Sequence, residues 1–183
     1  MENIKGGVFT GERALFASAD LKIEKAVFCD GESPLKESKN IELIGCEFGW
    51  KYPLWYSRDV RLTDSVLKLT ARSGIWYTHG ITMIDCTVDA PKTFRRSSGI
   101  ALERVTLANA EETMWNCSSV ALKDVSIKGD YFGFGTSDVT ADNISVDGNY
   151  LLTAAEISLL KIQDSSRRTH FGTARTLPSR IVS

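Results

Sequence analysis

"IWYTHGITMIDCTVDAPKTFRRSSGIALERVTL", residues 75–107, contains its own copy. Ile75, Thr78, Ile81, Met83, Cys86 and Val88 return 19 positions later as Phe94, Ser97, Ile100, Leu102, Val105 and Leu107. Followed outward in both directions, the Ile81/Ile100 position becomes a column of anchors: Leu21, Ile41, Val60, Ile81, Ile100, Val120 and Val139, spaced by 20, 19, 21, 19, 20 and 19 residues. Two positions after each anchor the column is apolar (Ile23 to Ala141), and seven after it is again apolar (Phe28 to Val146). Six before the anchors stand Leu15, Leu35, Leu54, Ile75, Phe94, Met114 and Gly133, the last a weak member; three before stand hydroxyls, with Cys117 as the exception.

Each unit therefore holds three short segments of period two, which is strand periodicity, with too little chain between them for a helix. Three strands in about 20 residues cannot bury an apolar face alone, so the units must stack. The pattern predicts an all-β fold: a single-stranded, right-handed parallel β-helix of about seven coils over residues 1–151. The handedness follows by analogy with parallel crossovers. A leucine-rich repeat has the same length but needs Leu and Asn signature positions that are absent. All variation in coil length falls in one turn, where the steps from the last inward residue of one coil to the first of the next are 7, 6, 8, 6, 7 and 6. Repeat proteins gather such variation on one face, often the binding face.

Charge and composition narrow the function. The 183 residues are 43% hydrophobic with a formal charge of −1, which describes a soluble, well-packed chain with no nucleic-acid footprint. No run approaches the ~18 apolar residues of a membrane span. The N-terminus lacks a basic segment followed by an apolar run, and the four cysteines have no CxxC spacing; both point to a cytoplasmic protein with reduced thiols. Cys46 and Cys86 share an inward column two coils apart, about 10 Å at the coil spacing, too far to bridge. No zinc-type His/Cys cluster and no phosphate-cradling glycine loop is present, so no metal or cofactor is expected.

One outward column stands apart from its solvated neighbours: Phe16, Lys36, Trp55, Trp76, Arg95, Trp115 and Phe134, with Glu37, Tyr56, Tyr77, Arg96 and Asn116 at the adjoining bend. An exposed aromatic stripe interleaved with charges suits a saccharide, whose apolar faces meet rings while guanidinium groups meet hydroxyls or acids. The candidate ligand-binding set is Trp55, Tyr56, Trp76, Tyr77, Arg95, Arg96, Trp115 and Asn116. The same stripe also reads as a purely structural ladder of strand-favouring aromatics with cation–π pairs, or as the interface of a homo-oligomer. Glu111 or Glu112, together with Asp130 in the variable turn of the adjacent coil, is the candidate acid/base pair for a glycosidic bond; equally, such turn carboxylates pair with lysines of the Lys51 kind.

The runs "GERALFASADLKIEKAVFCDGESPLKESKNIEL" (11–43), "WKYPLWYSRDV" (50–60), "GIWYTHGIT" (74–82), "APKTFRRSSGIALERVTLANAEETMWNC" (90–117) and "GDYFG" (129–133) resemble a bacterial family of unknown function, domain of unknown function 3737. The resemblance spans about residues 2–151. It implies a pectin-lyase-like β-helix and no activity; pectin-lyase chemistry would be fold analogy alone. It also implies further coils beyond this chain's length.

The remaining segment, 152–183, breaks the rule and shifts the charge balance: five Lys/Arg against two Asp/Glu, after 17 against 21 in residues 1–151. Read one base out of frame, residues 170–178 can encode "FWNCENVT", a match to "MWNCSSVA" at 114–121, and the shifted reading keeps the repeat in phase through the segment. The expectation is a frameshifted, truncated end near Leu151 and Leu152, disordered or forming a short helix over 153–166.

Overall fold

The computed structural model describes residues 1–165 and 170–176. Among them the chain is all-β, with parallel strands stacked as a solenoid of about eight turns and no helix. The long strand of each coil carries the anchor: Ala19–Glu24, Lys39–Ile44, Arg58–Thr63, His79–Ile84, Ser98–Glu103, Ser118–Lys123 and the first half of Ser137–Asp147. Their register is the sequence column itself, Leu21↔Ile41↔Val60↔Ile81↔Ile100↔Val120↔Val139. Two-residue strands such as Val27–Phe28 and Thr87–Val88 hold the next apolar column, and Ile75–Trp76 pairs with Phe94–Arg95 to form part of the third side.

The inward columns fill the interior, with Ile23, Leu43, Leu62, Met83 and Ile81 fully buried and Phe9, Phe28 and Phe48 stacked along the axis. The weak member at Gly133 is compensated by its neighbours. Phe132 turns inward and is buried, and a Cβ on Gly133 would lie 2.6 Å from Leu152 Cδ2. Leu152 of the next coil thus occupies the space that glycine leaves open.

The hydroxyl column solves a backbone problem. At the bend before the long strand, the hydroxyls give buried carbonyls a further donor. Ser57, Thr78 and Ser97 donate to the carbonyls of Leu35, Leu54 and Ile75 at 2.8, 2.5 and 3.0 Å, and Thr136 donates to that of Met114. Cys117 can interrupt the column because the Phe94 carbonyl, which a hydroxyl there would serve, already accepts the N–H groups of Met114 and Trp115 at 2.9 and 3.2 Å. Cys29, Cys46, Cys86 and Cys117 are all free.

Both ends differ from the sequence reading. A further coil precedes Leu21: Glu2–Lys5 pairs Glu2↔Leu21 and Ile4↔Ile23, and Val8–Phe9 pairs with Val27–Phe28. Its anchor position is Glu2, so an apolar column cannot reveal it. At the other end, strand Glu156–Ser165 replaces the short helix considered for 153–166 and pairs with Ser137–Asp147, placing Ile157 opposite Val139. Leu151, Leu152, Ala155 and Ile157 are buried, so the core runs past the boundary at 151. Residues 166–169 and 177–183 lie outside the described residues.

Candidate functional site

The stripe is built by the corner that follows it. The corner residues Glu37, Tyr56, Tyr77, Arg96 and Asn116 all have left-handed backbone, with φ between 48 and 62°. This conformation is costly for residues other than glycine and persists where the surrounding structure imposes it. Here each corner N–H bonds to the carbonyl of the next coil's stripe residue, as in Tyr56 to Trp76 and Tyr77 to Arg95, both 3.0 Å. The stripe and the corner therefore advance together, one residue each per coil.

The candidate binding set divides into two groups. Trp55, Trp76, Arg95 and Trp115 form a continuous spine. The indoles of Trp55 and Trp76 stack with centroids 5.3 Å apart, and the Arg95 guanidinium lies 4.7 Å from the ring centroids of both Trp76 and Trp115. Beyond Trp115 follows Phe134, 5.5 Å away. Each indole N–H is also used: Trp55 donates to Ser73 O at 2.5 Å, Trp76 to Lys92 O at 2.8 Å and Trp115 to Tyr131 O at 2.6 Å. Among the described residues these turn carbonyls accept no backbone N–H. Each tryptophan so pins the variable turn of the following coil.

Tyr56, Tyr77, Arg96 and Asn116 form the second group, a row along the outer corner. Tyr56 and Tyr77 stack at 4.8 Å with planes 6° apart, leaving Tyr56 45% exposed. Arg96 and Asn116 are exposed. No carboxylate pairs with Arg96 among the described residues. The sequence placed both groups on one stripe but could not show that an in-register ladder covers the faces of its own rings.

The three candidate acids are engaged. Glu112 faces Lys92 at 3.0 Å and Arg95 Nη2 at 3.6 Å, while Arg95 Nε is buried without a hydrogen-bond partner. Glu111 accepts the Asp130 N–H at 3.4 Å, and Asp130 accepts the N–H and side-chain amide of Asn149 at 2.7 and 3.1 Å. Lys51 pairs with Glu32 at 2.6 Å. Among the described residues no group of three or more His, Cys, Asp or Glu could hold a metal ion, and no helix is long and apolar enough to cross a membrane.

Together these features define a parallel β-solenoid with an aromatic and cationic spine on one side. The chain belongs to the family described as "Protein of unknown function (DUF3737)", whose model matches residues 2–170, further than the motifs at 2–151. No curated protein matches it. Similar solved structures include full-length QnrB1, a plasmid-mediated fluoroquinolone resistance protein, at 13% identity and a TM-score of 0.44 over 97% of this chain and 93% of that one. A trypsin-treated variant of QnrB1 gives 14% and 0.41 over the same shares.

Proposed function

We propose that the protein is a non-catalytic binding solenoid that holds an acidic, hydroxyl-rich chain, an acidic oligosaccharide by class, along the corner row Tyr56, Tyr77, Arg96 and Asn116. What supports this reading is the row itself: with Tyr56, Arg96 and Asn116 exposed and Tyr77 half-buried, phenol, guanidinium and amide groups follow one another coil by coil. A phenol or guanidinium presented this way donates to sugar hydroxyls and carboxylates. The spine behind it supplies rigidity rather than ring faces, since those faces cover one another. Binding is favoured over hydrolysis because Glu112 is held by two cations and Glu111 and Asp130 by backbone N–H groups.

Titration with a panel of acidic and neutral oligosaccharides tests the proposal. Acidic members should bind with an affinity that falls as salt rises, and Arg96→Gly should weaken binding at least about tenfold. Glycine suits the left-handed φ of 48° at this position, so the variant keeps the backbone. Lack of binding across the panel would overturn the reading. The exposed rings of Phe16, Tyr56 and Phe134 favour a second use of this side, a homo-oligomer interface; sedimentation showing a dimer broken by Tyr56→Gly would support that reading instead.

A further inference from the structure

A second site, independent of the corner row, arises from the longest of the variable turns. The step from Leu67 to Ile75 spans eight residues, whereas the preceding and following turns, Phe48 to Leu54 and Val88 to Phe94, span six. The extra residues do not loop out freely. Ala71 donates its N–H to Lys68 O at 2.8 Å and is fully buried, and Gly74 fits against the Ala71 carbonyl, Leu67 and Pro53. Thr70 Oγ1 donates to Gly49 O at 2.6 Å, tying the turn to the coil before it. The turn is thus fixed in a flared position, with Leu69 61% exposed at its tip.

Between this flare and its shorter neighbours lies an open cleft of about 400 Å³ lined by Trp50, Lys51, Leu69, Thr70, Arg72 and Pro91. Ligand sites of this size are typically apolar with a few placed polar groups. Here the walls are an indole, a leucine and a proline. The polar groups are two cations and a hydroxyl, with no carboxylate in the lining. Lys51 is shared with Glu32 at 2.6 Å and sits 5.5 Å from the Trp50 ring centroid. Arg72 is exposed and pairs with no carboxylate among the described residues.

We propose that this cleft binds a small aromatic carboxylate. Its ring lies against Trp50, Leu69 and Pro91, and its carboxylate takes a bidentate bond from Arg72. The planar fork of Arg72 matches a carboxylate, and the apolar walls select against a bare inorganic anion. Apolar walls beside the Arg72 guanidinium, which no carboxylate opposes among the described residues, select this occupant.

Phenylacetate, benzyl alcohol and inorganic phosphate, titrated separately and followed by the indole N–H resonance of Trp50, test the assignment. Phenylacetate should shift that resonance saturably. Benzyl alcohol and phosphate should each bind at least about tenfold more weakly, and Arg72→Gln should cost phenylacetate a similar factor. Arg72 and Leu69 are on the surface, so Arg72→Gln and Leu69→Ser should leave the fold intact, and Arg96→Gly should leave phenylacetate binding unchanged. No saturable shift with phenylacetate, phosphate binding as tightly as phenylacetate, or indifference to Arg72→Gln would each overturn the proposal. None of these results touches the corner row.

Discussion

Trp55 and Trp76, 21 residues apart in the chain, stack with ring centroids 5.3 Å apart and planes within 9° of each other. Each also pins a turn through its indole N–H, Trp76 reaching Lys92 O at 2.8 Å. Trp76→Phe should keep part of the stack and lose the hydrogen bond, costing about 1 kcal/mol. Trp76→Ala should lose both, along with the Arg95 contact, costing about 2 to 3 kcal/mol for a half-buried indole. Equilibrium denaturation of the two variants checks the order.

Ser97 is a stronger test of the interior. Its hydroxyl donates to Ile75 O at 3.0 Å and accepts the Thr78 N–H at 3.1 Å. Ser97→Ala removes both and leaves the buried Thr78 N–H without its acceptor, an expected loss of about 1 to 3 kcal/mol. Ser97→Thr should be tolerated, since Thr78 and Thr136 occupy the same column. Thermal unfolding of the pair separates the hydroxyl from side-chain volume.

The thiols carry a pH signature. Burial holds Cys46 and Cys86 above the ordinary thiol range and pushes Cys117 up to about 11. These raised values belong to the folded state, so their stabilising contribution is complete below the unfolded thiol pKa of about 8.5. It is lost as pH rises toward 11 because the unfolded chain releases its protons first. Stability should therefore fall over that window, and less steeply in Cys117→Ala. At neutral pH a thiol reagent should label the half-buried Cys29 well before the other three; equal labelling rates would contradict the burial.

The far end of the solenoid carries its own prediction. Pairing is regular through the body, but the Ser137–Asp147 and Glu156–Ser165 pair shifts register between Val139 and Thr140, Ala141 and Ile144, and Ile144 and Ser145. Leu159 and Phe171 are exposed there. We propose that the coding sequence slips by one base near Leu151 and Leu152. The nucleotide sequence of codons 151–183 should then have wobble bases that spell the repeat columns in the shifted frame. Stop codons, or polar residues at the inward positions of that frame, would contradict it.

The anchor column made most of the fold legible, because a parallel stack turns equal spacing into direct pairing: Ile81 lies opposite Val60 and Ile100, as the spacing requires. It failed where the column is not apolar, at Glu2, and where the inward residue moves by one, from Gly133 to Phe132. The stripe was legible as a stripe, but its division was not. Whether a ring faces solvent or the next ring depends on side-chain packing along the axis, which period and composition do not encode. The cleft was legible only as a long turn, since its walls come from three coils.

Arg95 lies in the spine between Trp76 and Trp115, whereas its exposed neighbour Arg96 stands in the proposed binding row. The most direct measurement sets stability and acidic-oligosaccharide affinity side by side for Arg95→Met and Arg96→Gly. Arg95→Met should lower stability by about 1 to 2 kcal/mol through the lost cation–π contacts and leave affinity within about twofold. Arg96→Gly should keep stability and lose at least about tenfold in affinity. The reverse pattern, affinity lost with Arg95 and retained without Arg96, would overturn this division of the two arginines.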